Sequence, residues 1–196
     1  MLKVGITGGI GTGKTTVCQV FETLGIPVFY ADTAAKELMN TDTALRTAII
    51  NLFGKEVYNN GLLDNKRLSE LVFNDSEKLS KLNAIVHPAT IAYGKEWMEK
   101  QQAPYVIKEA AIFFESGSYK DMDVVIGIAA PLGLRIERAM QRAGATLEQV
   151  NARIAQQMDN DEKMKLCQYV LVNDEHEAIL PQVIKLHHTF IEMAKG

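Results

Sequence analysis

The chain carries little of what marks the special-purpose protein classes. Its 196 residues include only two cysteines, Cys18 and Cys167, far apart and in no C-x-x-C pair. That excludes a disulfide framework and a thiolate zinc site. The four histidines show no H-E-x-x-H spacing, so no histidine metal centre of that kind is expected. An excess of one charge is missing as well, with 21 Lys plus Arg against 24 Asp plus Glu for a net −3. Such a balance gives no electrostatic footprint for extended nucleic-acid binding. The longest nearly apolar run, residues 124–134, contains Pro131 and is too short to span a bilayer. No charged leader with an apolar core precedes Gly5, and no internal repeat or low-complexity tract occurs. These absences lead to the expectation of a cytoplasmic protein in a reducing compartment, with no nucleic-acid, membrane or obligate protein partner indicated.

What is present begins with 47% hydrophobic content, enough at this length for one α/β domain with elaborations. Gly8-Gly9-Ile10-Gly11-Thr12-Gly13-Lys14-Thr15 fills every position of G-x-x-x-x-G-K-[ST]. Glycines let the backbone turn tightly, so that successive N–H groups point at phosphate oxygens, and the following helix presents its positive end to the same anion. Lys14 is suited to the β- and γ-phosphates, and the Thr15 hydroxyl to Mg²⁺. The flanks supply the context this motif needs. Leu2-Lys3-Val4-Gly5-Ile6-Thr7 has Val4 and Ile6 on one face of a short strand. Val17, Val20, Phe21 and Leu24 then form the stripe of an amphipathic helix, stopped by Gly25 and Pro27. A glycine turn that binds nothing is the alternative, and the strand, loop and helix together argue against it.

Ile26-Pro27-Val28-Phe29-Tyr30 is a second strand, delivering Asp32 to the strand ends where ligands bind in open α/β sheets. Alternatively Asp32 caps a helix starting at Thr33. Over residues 33–102 strand signals disappear. Helices are expected after Asp42 (Ala44, Leu45, Ala48, Ile49 and Phe53, closed by Gly54), after Asp64 (Leu68, Leu71 and Val72) and after Asp75 (Leu79, Leu82, Ile85 and Val86). The third is interrupted at His87-Pro88, because proline removes a donor and restricts its predecessor. His87 itself reads as a structural histidine. An insertion of about seventy residues far exceeds the usual connection and suggests a helical subdomain for an acceptor.

The sheet resumes at Tyr105-Val106-Ile107-Lys108-Glu109-Ala110-Ala111. Glu109 fits a Walker-B-like position and Glu115 could line the pocket; either is otherwise an ordinary solvated acid. Asp123-Val124-Val125-Ile126-Gly127-Ile128-Ala129-Ala130 has the unbroken apolar character of a strand covered on both faces. Pro131 starts a helix on which Arg135, Arg138 and Arg142 share one face, either merely solvated or suited to spreading γ-phosphoryl charge. Gly144 breaks that helix and Thr146-Leu147-Glu148-Gln149 opens the next with a capping-box pattern, so the pair resembles a mobile lid that excludes water. The charged residues 159–165 close this unit. Tyr169-Val170-Leu171-Val172 delivers Asn173 to the crevice, as a base contact or a turn former. Pro181 starts a terminal helix packed through Val183, Ile184, Leu186 and Ile191.

Taken in order, these motifs resemble those of the dephospho-coenzyme A kinase family. Gly5 through Thr15 is similar to its G-L-T-G-G-I-G-S-G-K-S, Ala31-Asp32 to the latter part of its D-A-D, residues 82–88 to L-x-x-I-x-H-P and residues 111–115 to P-L-L-F-E. Arg138 and Arg142, Arg153-Ile154-Ala155-Gln156-Gln157 and residues 170–173 resemble the later lid and adenine-loop motifs. Tyr30 replaces the first Asp of D-A-D, Ala111 the Pro and Ala143 the Asp after the lid arginine.

The resemblance implies a P-loop NTPase-type three-layer α/β sandwich with a mainly parallel five-stranded sheet. Residues 1–32, 103–130 and 167–196 would form the nucleotide-binding core, residues 33–102 a helical acceptor-binding subdomain and residues 131–166 a lid. It implies transfer of the ATP γ-phosphate to the ribose 3′-hydroxyl of dephospho-coenzyme A, the last step of coenzyme A biosynthesis. Asp32 is then the base, with Lys14 and Arg138 the other catalytic residues. Gly9, Gly11, Thr12, Gly13, Lys14, Thr15, Thr16, Arg142 and Asn173 would hold ATP, with Asn173 near adenine and Thr15 on Mg²⁺. A kinase for another small hydroxylated acceptor, such as a nucleoside or nucleotide, is the alternative, and the His87-Pro88 element stands against it. A non-catalytic nucleotide switch lacks support, since Val172-Asn173-Asp174-Glu175 is no N-K-x-D element.

Overall fold

The computed structural model describes every residue except Asn74, with the backbone alone for Phe73, Arg142 and Ala143. The chain divides into two compact units, residues 1–30 with 100–196, and residues 31–99. Its strands are β1 (Leu2–Thr7), β2 (Val28–Tyr30), β3 (Tyr58–Asn59), β4 (Leu62–Leu63), β5 (Tyr105–Glu109), β6 (Val124–Ala129) and β7 (Tyr169–Val172). The first unit is built on a five-stranded sheet in the order β2-β5-β1-β6-β7, with every neighbouring pair parallel. Parallel strands need crossovers, and these bring all five carboxyl ends to one edge of the sheet.

Alternation decides which residues build the main core. Val4 and Ile6 of β1, Tyr105 and Ile107 of β5, and Val124, Ile126 and Ile128 of β6 are buried on one face. Helix α1 (Lys14–Thr23) packs Val17, Cys18 and Phe21 there, and the last helix of the chain adds Val183, Leu186 and Phe190. Each such apolar side chain contributes roughly 1.5–3 kcal/mol on burial. The opposite face is approached closely at two glycines. A Cβ on Gly5 would strike the Phe113 ring, and one on Gly127 would strike Met164 and Cys167.

The second unit holds α2 (Ala31–Thr41), α3 (Thr43–Phe53), α4 (Asn65–Phe73) and α5 (Ser76–Glu99) around Leu38, Leu45, Ile49, Val57, Leu63, Leu68, Leu82 and Val86. Its helix starts follow the local signals. Asp42, Asp64 and Asp75 accept the amides of Leu45, Arg67 and Lys78 at 2.8, 3.0 and 2.9 Å.

Three expectations for this stretch need correction. Helix α2 follows β2 without a loop, so Asp32 lies inside its first turn rather than capping a helix from Thr33. Helix α5 runs unbroken through His87 and Pro88. Leu82, Val86, Thr90 and Met98 are buried along it, while Ala84 and Pro88 are exposed, so the carbonyl that the proline cannot bond can take water. Finally, β3 and β4 form an antiparallel hairpin, turned at Asn60 (φ 49°) and Gly61 (φ 85°). Both positive angles fit the Asn-Gly hairpin turn.

The first unit continues with α6 (Leu132–Ala143), ended by left-handed Gly144, and α7 (Leu147–Ala155), opened by the expected capping box of Thr146 and Gln149. The short α8 (Asn160–Lys165) is capped by Asp159, and α9 (Ile179–Met193) closes the chain. Helix α9 begins ahead of Pro181, which sits in the first turn, where a missing N–H costs no helical bond. Strand β5 ends at Glu109, earlier than the expected Ala111.

Candidate active site

The glycine motif leaves β1 at buried Thr7 and enters α1 at Lys14. Gly11 and Gly13 have φ of 79° and 90°, angles that side chains with a Cβ rarely adopt. Gly13 is the N-cap and provides no side-chain cap, and the Val17 amide donates to its carbonyl at 3.1 Å. The amides ahead of that bond project along the helix axis from its positive end, the arrangement that binds an anion. Thr12 stiffens the loop, its hydroxyl donating to the Gly9 carbonyl at 3.0 Å. Lys14 folds back over the loop, its Nζ donating to the carbonyls of Gly8 at 2.9 Å and Gly9 at 3.3 Å.

Glu109, at the carboxyl end of β5, brings its Oε1 within 3.8 Å of Lys14 Nζ, both side chains nearly buried. Burial and the Glu109 charge push the Cys18 thiol pKa up, which leaves that cysteine an inert packing group. Tyr30, paired with Glu109 across β2 and β5, donates its hydroxyl to Glu22 at 3.0 Å, and burial raises its pKa too.

The loop has a second wall. Asn160 Oδ1 accepts the Gly9 amide at 2.9 Å, Gln157 Oε1 accepts the Ile10 amide at 3.0 Å, and Arg135 Nε donates to the Ile10 carbonyl at 3.2 Å. Asn173, just past β7, donates Nδ2 to the Thr12 carbonyl at 2.9 Å. Its own carbonyl accepts from Arg138 Nη1 at 3.0 Å, and Arg138 also pairs with Glu175 at 3.0 Å.

A glycine loop seated on an ammonium group, an acid beside that ammonium and the asparagine after β7 against the loop make up an arrangement suited to holding phosphate. Sequence comparison decides which kind. The family profile described as dephospho-CoA kinase matches residues 2–178. The chain belongs to the dephospho-CoA kinase family. It is 36% identical over 186 residues to the dephospho-CoA kinase of Bacteroides fragilis, covering 94% of this chain and 91% of that one. Among solved structures, TT1252 from Thermus thermophilus superposes with a TM-score of 0.84 at 34% identity, covering 96% of each chain. Dephospho-CoA kinase from Campylobacter jejuni superposes with a TM-score of 0.71 at 28% identity over 97% of each chain. The α/β fold with a parallel five-stranded sheet is therefore the fold of a dephospho-CoA kinase.

Within this chain, the structure gathers Gly9, Gly11, Thr12, Gly13, Lys14, Thr15 and Thr16 in one loop and helix start, with Asn173 and Glu109 against them. Arg138 is directed to Asn173 and Glu175, whereas Arg135 reaches the loop itself. The Arg142 side chain lies outside the described residues. Asp32 is exposed in the second unit, and its charge favours the protonated form of His87, although burial is the larger effect and holds the His87 pKa low.

Glu109 and Glu115 have different neighbours. Glu115 accepts the Met158 amide at 2.8 Å and pairs with Lys163 Nζ at 3.0 Å. Burial acts to raise its pKa, but these bonds and its own amide hold it below the ordinary carboxylate value. Lys163 is fully buried and also donates to the Ala111 carbonyl at 2.7 Å. Glu115 is thus a structural partner, and Glu109 is the acid beside Lys14. Sequence reasoning passed over Gln157, Asn160 and Lys163. Gln157 stands within the stretch from Arg153 that resembles a lid motif of the family, while Asn160 and Lys163 sit in a stretch that looks simply charged. Among the described residues no cluster of three or more His, Cys, Asp or Glu is placed to hold a metal, and no helix is long and apolar enough to cross a membrane.

Proposed function

We propose that this protein transfers the γ-phosphoryl group of ATP to the ribose 3′-hydroxyl of dephospho-coenzyme A, giving coenzyme A and ADP. The supporting observation is an intact phosphate loop with Lys14 seated on its carbonyls, in a chain matched to dephospho-CoA kinase along most of its length. The new bond joins the 3′-oxygen to the γ-phosphorus, the bond from that phosphorus to the β–γ bridging oxygen breaks, and Asp32 takes the hydroxyl proton. Lys14 moves from the Gly8 and Gly9 carbonyls onto the β- and γ-oxygens, and the loop amides hold the phosphates in line. Positioning and charge stabilisation make up most of catalysis in such transfers.

One hydroxyl from Thr15 and one carboxylate from Glu109, together with phosphate oxygens, suit Mg²⁺, which usually keeps few protein ligands. Bound there, the ion would neutralise charge on the β- and γ-oxygens. Arg138 and Arg142 serve the nucleotide from residues 131–166, which act as a lid, and Asn173 stands near adenine. Residues 31–99 take the acceptor. The enzyme works in the cytoplasm, in keeping with its free cysteines Cys18 and Cys167, and no obligate protein partner is indicated.

The test is incubation of purified protein with Mg-ATP and a panel of acceptors. Coenzyme A and ADP should form with dephospho-coenzyme A and not with nucleosides or nucleotides. Absence of product from folded protein that binds ATP would sink the assignment.

A further inference from the structure

Gly9 is where the phosphate loop meets the rest of the first unit. Its amide donates to Asn160 Oδ1 at 2.9 Å. Its carbonyl accepts from the Thr12 hydroxyl at 3.0 Å, the Thr12 amide at 3.3 Å and Lys14 Nζ at 3.3 Å. Next to it, the Ile10 amide donates to Gln157 and the Ile10 carbonyl accepts from Arg135 Nε. Asn160 and Arg135 are each only 6% exposed. The fit leaves no slack, since a Cβ on Gly9 would strike the Arg135 guanidinium and one on Gly11 the Arg135 backbone carbonyl.

Two things follow. Neutral carboxamide oxygens occupy the Gly9 and Ile10 amides, so the amides aimed at an anion from the helix start lie beyond Ile10. Of the two carbonyls that seat the Lys14 ammonium, that of Gly8 shares its peptide unit with the amide held by Asn160 and that of Gly9 with the amide held by Gln157, so a shift of this limb shifts the place from which Lys14 acts. We propose that Asn160 and Gln157, with Arg135 between them, are positioning residues for Lys14. They fix the Gly9 and Ile10 limb, and through that backbone residues 131–166 act on phosphoryl transfer in addition to any arginine they supply. The kinetic part rests on the function proposed above; the structural part does not.

The test uses Asn160→Leu, which removes the accepting oxygen at similar volume, Asn160→Asp, which keeps one, and Gln157→Leu as a second acceptor deletion. Because misplacing a reacting group by an ångström costs up to about a hundredfold, Asn160→Leu should lower kcat by about ten- to a hundredfold. ADP, which keeps the β-phosphate and lacks the γ-phosphate, should lose less affinity in each leucine variant than kcat loses, as expected for a loss expressed mainly in the transition state. Asn160→Asp should hold kcat within about threefold of wild type. Amide hydrogen exchange over residues 9 and 10 should quicken in both leucine variants.

A folded Asn160→Leu with wild-type kcat would overturn the inference, as would equal losses in the Leu and Asp variants or a fall in ADP affinity as large as the fall in kcat. If Asn160→Leu does not fold, Gln157→Leu decides by the same measures. Should wild-type protein fail to phosphorylate dephospho-coenzyme A, the proposed function falls alone, and unchanged exchange in Gln157→Leu would then overturn this inference separately.

Discussion

Lys163 offers a sharp test of how the segment after α7 is anchored. Its ammonium is fully buried and bonded to the Ala111 carbonyl at 2.7 Å and to Glu115 at 3.0 Å. Replacing it in Lys163→Met keeps the stem and removes both bonds. Breaking a buried pair costs roughly 3–5 kcal/mol when the abandoned charge stays dry. Here Glu115 keeps 24% of its side-chain exposure and can partly rehydrate, so the lower part of that range applies to the ion pair. The orphaned Ala111 carbonyl adds a further penalty, and the net expectation is about 3 kcal/mol of lost stability, or roughly 6–12 °C in Tm for a chain of this length. Urea denaturation of Lys163→Met, Glu115→Gln and the double variant would supply a coupling energy, expected above about 1 kcal/mol.

Acid sharpens the same test. The folded-state pKa of Glu115 lies below its ordinary value of 4.5, so its stabilising contribution is complete above that value and is lost as pH falls through the lowered folded pKa. The stability gap between wild type and Glu115→Gln should therefore be constant at neutral pH and close under acid. A loss under about 0.5 kcal/mol for Lys163→Met, the size of an ordinary surface substitution, would refute the view that this buried lysine anchors the segment.

Two further outcomes bear on the chemistry. Asp32→Asn should leave ATP affinity close to wild type and lower turnover by about 10²-fold or more, the usual size of a general-base contribution; an unchanged kcat would remove Asp32 from that role. Lys14→Ala should lower turnover by about 10²–10³-fold, in line with loss of a charge stabiliser, and also weaken nucleotide binding; wild-type turnover would contradict the phosphate-loop mechanism.

The features legible in the sequence were those carried by neighbouring residues. A glycine motif, the alternation of Val4 and Ile6, and the caps at Asp42, Asp64, Asp75 and Thr146 each involve side chains within a few positions of their partners. The wall behind the loop lies at the other extreme. Gly9 with Asn160 and Ile10 with Gln157 join positions 151 and 147 residues apart, and nothing local marks either side chain as an acceptor for a loop amide. Lys163 stands among Asp161, Glu162 and Lys165 and looks solvated, yet α8 lies against Gly127 of β6, where Met164 packs, and that placement buries it. Pro88 misled because local propensity was overridden by the apolar residues that hold α5 in place. The β3 and β4 pair was lost because two residues per strand show no period, though Asn60-Gly61 is itself a hairpin signal.

The pairing of β1 also sets an order on biosynthesis. Its partners are β5, in register from Leu2 with Tyr105, and β6, from Val4 with Val124. The strand that carries the phosphate loop thus leaves the ribosome before both of its partners and has no neighbouring strand until about a hundred more residues are made, on the order of 5–20 s at usual elongation rates. In that interval residues 31–99 can complete a set of helix contacts confined to their own stretch, while Val4 and Ile6 wait. Short-range contacts form early and long-range parallel pairing late. The nascent chain would therefore hold an assembled helical unit before it has anywhere to place a nucleotide, and the interval in which β1 is exposed is the one in which a chaperone has most to protect.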